Sequence, residues 1–194
     1  MRRYNVGMTP ARTAPRTNPA PVAEGTSPNV LHRILSPGIA IALWHRPSPW
    51  PEGLALPDLS LLLETGPEEA EAVIAAAAGA AFPPAVTADA AGLARRLAAI
   101  IGARRLRIRL ERVTGDACTR FHADHLTLRL LVTYAGPGTE WRTVPDGPVR
   151  RVPAGSVAVL KGLRLMAEPQ ILHRSPPIAA RGLRRLFLAV DPLP

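Results

Sequence analysis

Up to about residue 103 the apolar residues keep a helical spacing, and from about residue 104 they alternate with polar ones. In the first part, "PEEAEAVIAAAAGAAF" opens with Pro67 and acidic residues, a favourable start for a helix. "TADAAGLARRLAAIIGA" predicts a second helix with Thr87 as N-cap and Gly102 as stop. "LPDLSLLLETG" predicts a short helix, capped by Asp58 and ended by Gly66. Only "IAIALW" reads as a strand there, closed by the breakers of "RPSPWP". In the second part, "RRLRIRLERV" carries the period of two that marks a half-buried strand. "LTLRLLVTYA", "SVAVLKG", "QILHRSPP" and "RRLFLAVD" read as further short strands between Gly/Pro turns. "GPGTEW" reads first as a tight turn; the alternative is that Thr139, Glu140 or Trp141 lines a pocket mouth. Helices followed by at least five strands point to an α+β domain whose C-terminal half is a sandwich or jelly-roll barrel. Residues 1–28, rich in Pro, Thr, Ala and Arg without periodicity, are expected to form a disordered tail. Residues 29–194 then form one domain: 29–103 mainly helical with a short strand, and 104–194 the β-barrel that carries the site.

Composition narrows the classes. Of 194 residues, 47% are hydrophobic but only 4% aromatic, so the core rests on Leu, Val, Ile and Ala. The net charge of +9 raises the question of an anionic partner. The arginines are scattered, however, and no aromatic residues interleave with them, which argues against a nucleic-acid surface. The single cysteine excludes an internal disulfide framework. No apolar stretch of about 20 residues is present to span a bilayer. The first residues lack the apolar segment of a secretory signal, so the expected address is cytoplasmic.

The chemistry concentrates in "GDACTRFHADHLTLRLLVTYAGPGTEW", residues 115–141, which crowds Cys118, His122, Asp124 and His125 together. Alternate residues of an extended segment point the same way, so His122 and Asp124 share a face and His125 turns from it. Two histidines and a carboxylate with open positions are the ligand set of non-haem Fe(II) oxygenases, and His173 in "ILHRSPP" is the natural third ligand. Arg184 and Arg185 follow on the last strand, where one of them would face inward and pair with a co-substrate carboxylate. Alternation alone does not choose between them. Cys118 reads as a small hydrophobe or, through "CTRFH", as a further ligand in a zinc site.

Together, "RLERVTGDACTRFHADHLTLRLLVTYAGPGTEW", "GSVAVLKG", "HRSPP" and "RRLFLAVD" resemble a bacterial family of uncharacterised proteins, domain of unknown function family 1826. Members of that family tend to carry Pro where this chain has Thr119 and vary at the position of His125. The resemblance implies no established activity, and the family's association with zinc homeostasis supports a metal, with zinc as the alternative. The order HxD, turn-rich strands, "PAGSVAVL", His and then Arg on a closing strand is also similar to 2-oxoglutarate/Fe(II) dioxygenases. That likeness implies a double-stranded β-helix of the jelly-roll or cupin-like kind, with the helical N-terminal part packed on it. It implies iron on His122, Asp124 and His173, and the 2-oxoglutarate carboxylate on Arg184 or Arg185. No substrate-side motif matches, so a small molecule or a protein is equally open as substrate. The expectation for function is thus an Fe(II)/2-oxoglutarate oxygenase; its rival is a non-catalytic zinc-binding protein using Cys118, His122, Asp124 and His173.

Overall fold

The computed structural model describes residues 21–194, so the first 20 residues of the expected tail lie outside it. In chain order the described residues form β1 (Val22–Gly25), β2 (Ile41–Trp44), β3 (Leu61–Thr65), α1 (Ala70–Ala78), α2 (Pro84–Ile101), β4 (Leu106–Val113) and β5 (Leu128–Ala135). There follow β6 (Glu140–Thr143), β7 (Arg150–Arg151), β8 (Val157–Lys161), β9 (Ile171–Arg174) and β10 (Arg185–Pro192), with three short 3-10 segments between elements. Seven strands make one sheet in the order β1-β2-β8-β5-β10-β4-β3, and three make a second in the order β7-β6-β9. The fold is mixed α+β and mostly sheet. Hydrogen bonding leaves two separate sheets, with no closed barrel among the described residues.

The period of two along β4, β5 and β10 divides the large sheet into two faces. One face sends Leu106, Ile108, Leu110, Leu130, Leu186 and Leu188 into an apolar cluster shared with Ala90, Leu93, Ala94 and Leu97 of α2. The other face sends Leu131, Ala158, Leu160 and Ala189 into a second cluster with Trp141 and Ile171 of the small sheet. The candidate site lies on this second side, between the sheets.

Three expectations for the first hundred residues need correction. "LPDLSLLLETG" is not a helix: Leu61 to Thr65 pair antiparallel with β4, Leu61 opposite Leu110 and Glu64 opposite Arg107. Sheet pairing overrides the helical preference of a Leu-rich segment. Val22–Gly25, assigned to the tail, pairs parallel with β2, and such an edge strand gives little local signal. The segment 29–103 therefore carries two strands beside its helices, and a further strand precedes it. α2 begins at Pro84 rather than at a Thr87 cap, because proline suits the first helical position. Thr87 instead donates its hydroxyl to the Pro84 carbonyl, at 3.0 Å. Gly102 ends α2 as expected, with a left-handed φ of 71°. Among the described residues no helix is long and apolar enough to cross a membrane.

One buried polar network ties α2 to the sheet. Tyr134 of β5 donates its hydroxyl to Asp89 Oδ2 at 2.9 Å, and Arg46 grips the same carboxylate with both terminal nitrogens. Burial, followed by the neighbouring Asp89 charge, raises the Tyr134 phenol well above its ordinary value. Tyr134→Phe removes a hydrogen bond to a partly buried charged group, a loss of about 1.5–3 kcal/mol. In urea denaturation the midpoint should fall with an unchanged slope; an unchanged midpoint would show that the network adds nothing.

Candidate metal centre

His122 and His173 are 51 residues apart in the chain and meet as an antiparallel bridge. Each backbone N–H donates to the other's carbonyl, at 3.0 and 2.9 Å. Residues directly opposite in an antiparallel pair project to the same side, and the two imidazole centroids lie 4.5 Å apart. Asp124, two residues beyond His122, reaches the same point. Its segment is fastened from the end of β8: Leu163 N–H donates to the Asp124 carbonyl at 2.8 Å, and Gly162 N–H to that of Thr127 at 2.9 Å. Glycine is required there, because a Cβ at residue 162 would stand 2.2 Å from the Leu126 carbonyl oxygen and 2.8 Å from that of Asp124.

His122, Asp124 and His173 each offer one ligand atom, all within 4.8 Å of one another, and no other such group of His, Cys, Asp and Glu occurs among the described residues. His122 Nε2 lies 3.8 Å from Asp124 Oδ1, and His173 Nε2 lies 3.2 Å from Asp124 Oδ2. His122 donates Nδ1–H to the Arg120 carbonyl at 2.9 Å, which turns the Nε2 lone pair toward Asp124. Asp124 Oδ2 is buried with no hydrogen-bond donor aligned on it. Burial works against ionisation of Asp124, yet His173, Arg129 and His122 outweigh it and hold the carboxyl below the ordinary aspartate range. The group is therefore a largely buried carboxylate whose Oδ2 faces only the His173 imidazole, with His122 on its other side.

Two of the other sequence candidates fall on opposite sides. Arg185 faces inward at 1% exposure, whereas Arg184 is exposed. Arg185 Nη2 donates to Thr133 Oγ1 at 2.8 Å and to Thr139 Oγ1 at 3.1 Å. Its guanidinium covers the Phe187 ring at 4.7 Å, while Nε and Nη1 have no partner. Burial without a counter-ion lowers its pKa to about 10. Cys118 lines the same cavity as His122 and His173 but is not in the ligand group, so the closed zinc set of Cys118, His122, Asp124 and His173 is not assembled. His125 is exposed. Thr139 does line the cavity; Glu140, by contrast, is buried against Arg151 and Arg174, and Trp141 is in the core. Sequence reasoning missed Arg129 and Asp191. Arg129 donates Nη1 to Asp124 Oδ1 at 2.5 Å, and Nε and Nη2 to Asp191 at 2.6 and 2.7 Å. Its signal is a lone arginine inside the apolar run "LTLRLLV".

The cavity is bounded by Arg109, Glu111 and Val113 of β4, Leu131 of β5, Phe187 of β10, and His122, His173 and Ser175. It thus joins the histidines to two of the side chains that contact Arg185, Thr139 and Phe187.

Solved structures similar to this chain include a prolyl-4-hydroxylase of Pseudomonas putida, at a TM-score of 0.44 and 15% identity over 84% of this chain and 96% of that one. A C-terminally truncated protein of Neurospora crassa in apo form matches at a TM-score of 0.36 and 19% identity, over 54% of this chain and 44% of that one. The hydroxypropylphosphonic acid epoxidase of S. wedmorenis matches at a TM-score of 0.32 and 14% identity, over 44% of this chain and 42% of that one. This chain spans less than half the length of the last two. No curated protein matches the chain. The family described as "Protein of unknown function (DUF1826)" matches residues 25–191, and the chain belongs to that family.

Proposed function

We propose that the protein is an Fe(II)/2-oxoglutarate-dependent oxygenase. The observation that carries this reading is two sets of buried atoms without an aligned hydrogen-bond partner: Asp124 Oδ2, which faces the His173 imidazole at 3.2 Å, and the Nε and Nη1 of Arg185. A buried carboxylate oxygen without a donor suits a cation, and a buried guanidinium without a counter-ion suits an anion, because leaving either uncompensated is costly. In this reading the two sheets form a double-stranded β-helix. β4, β10, β5 and β8 supply one half, and β6, β7, β9 and the His122 segment the other, in keeping with their pairing.

His122, Asp124 and His173 would hold Fe(II). Two imidazole nitrogens and one carboxylate suit that ion and leave positions open. Iron with 2-oxoglutarate and dioxygen supplies oxidation of a substrate C–H bond. The chain's own residues prepare the place. Arg185 would pair with a carboxylate of 2-oxoglutarate through Nη1, while Thr133 and Thr139 hold Nη2 in position. A planar guanidinium with fixed donor directions orients a carboxylate better than a point charge does. Phe187 and Leu131 give the cavity apolar walls that limit water. At its neighbouring wall, Arg109, Glu111 and Ser175 supply polar contacts for the substrate.

Anaerobic titration with Fe(II) and then 2-oxoglutarate should develop the visible charge-transfer band of the chelate. His122→Ala and Asp124→Ala should abolish it. Tight zinc binding without any such band would sink the proposal. Arg185→Lys keeps the charge and loses the planar, fixed donors, so 2-oxoglutarate should bind about tenfold more weakly or worse while Fe(II) affinity holds. Equal 2-oxoglutarate affinity, read from the same band, would remove Arg185 from the site. Cys118→Ser should leave metal affinity unchanged in isothermal titration calorimetry; a large loss would restore the zinc reading.

A further inference from the structure

Arg129 touches Asp124 on the side away from His173, and the manner of that contact bears on how the carboxylate can bind. Arg129 lies on β5 and Asp191 on β10, neighbouring antiparallel strands paired through Leu130 and Val190. All three guanidinium nitrogens of Arg129 are engaged. Nε and Nη2 form a fork on Asp191, at 2.6 and 2.7 Å, and Nη1 reaches Asp124 Oδ1 at 2.5 Å. Asp191 is 5% exposed and has little access to water. Asp124 Oδ2 is left without a donor, 3.2 Å from His173 Nε2.

We propose that Arg129 and Asp191 act as a positioning pair that commits Asp124 to bind the metal through Oδ2 alone. The inference rests on the reading of His122, Asp124 and His173 as a metal site. Two physical effects support it. First, a carboxylate that chelated through both oxygens would have to release Oδ1 from a charge-assisted hydrogen bond, the strong kind. Holding Oδ1 therefore keeps a coordination position open for a second, chelating ligand. Second, a lone guanidinium beside Asp124 would cancel the charge that attracts a dication. Asp191 neutralises Arg129, so Asp124 keeps its negative charge for the metal. Groups that orient metal ligands in this way are typically worth about 10–100-fold in metal affinity or activity.

Arg129→Lys and Asp191→Asn separate the two effects, with Co(II) as the probe because its visible spectrum reports its coordination. A lysine head cannot grip Asp191 and Asp124 together. In folded Arg129→Lys, Oδ1 is released. The Co(II) spectrum should shift before any 2-oxoglutarate is added, and 2-oxoglutarate should then bind the Co(II) protein about tenfold more weakly. In Asp191→Asn, the unopposed Arg129 charge should weaken Co(II) by about 10–100-fold. Circular dichroism and the thermal midpoint establish folding, and if Arg129→Lys does not fold, Asp191→Asn decides. A folded variant that retains the wild-type spectrum and 2-oxoglutarate affinity (Arg129→Lys), or the wild-type Co(II) affinity (Asp191→Asn), overturns the proposal. Wild-type protein that binds no Co(II) overturns the metal site as well, whereas normal wild-type binding with unaltered variants overturns the positioning role alone.

Discussion

Two backbone hydrogen bonds, exchanged between His122 and His173, are the constraint on which the site depends. They convert a separation of 51 residues into direct opposition across an antiparallel pair, where side chains must project together. Everything else at the site serves that pair. β6 pairs with the other edge of β9, Trp141 opposite His173, so the second histidine is held from both sides. The turn after β8 binds the segment 124–127 and sets Asp124 at the level of the imidazoles. The glycine at 162 lets two backbones approach more closely than any side chain would allow.

The same region concentrates buried charge. Arg185, Asp191 and His173 are each less than a tenth exposed in a core built mainly from Leu, Val, Ile and Ala. Buried ions in a small core usually cost stability unless they are paired. Asp191 is paired through Arg129, and Glu140 through Arg151 and Arg174. Arg185 has only two threonine hydroxyls, and Asp124 Oδ2 faces only the His173 imidazole. The incomplete pairing of these two groups, beside the cavity that joins the histidines, is what supports the proposal that they bind ligands.

Much of this was legible from the chain. His122 and Asp124 could be paired because a period of two places them on one face. His173 could be joined to them because it follows a strand pattern at a distance that leaves room for intervening strands. Arg184 and Arg185 could not be told apart, since Leu186 and Phe187 give both faces apolar neighbours; only in the fold, with Arg185 opposite Val113 of β4, is it seen which one is buried. Arg129 passed as an ordinary polar position in an alternating strand, and its partner Asp191 lies 62 residues away. "LPDLSLLLETG" was misread because leucine favours helices locally, while β4 supplies a long-range partner that no local pattern records. β1 was lost in a proline-rich tail because its parallel pairing with β2 leaves no alternation over four residues.

The central claim is that His122, Asp124 and His173 hold one metal ion, with Arg185 receiving the acid that binds beside it. Anomalous diffraction at the iron edge, from crystals grown anaerobically with Fe(II) and 2-oxoglutarate, tests it most directly. The account predicts a single peak bonded to His122 Nε2, Asp124 Oδ2 and His173 Nε2, with a 2-oxoglutarate carboxylate on Arg185. A peak bonded to the Cys118 sulfur, or none between these three side chains, would contradict it.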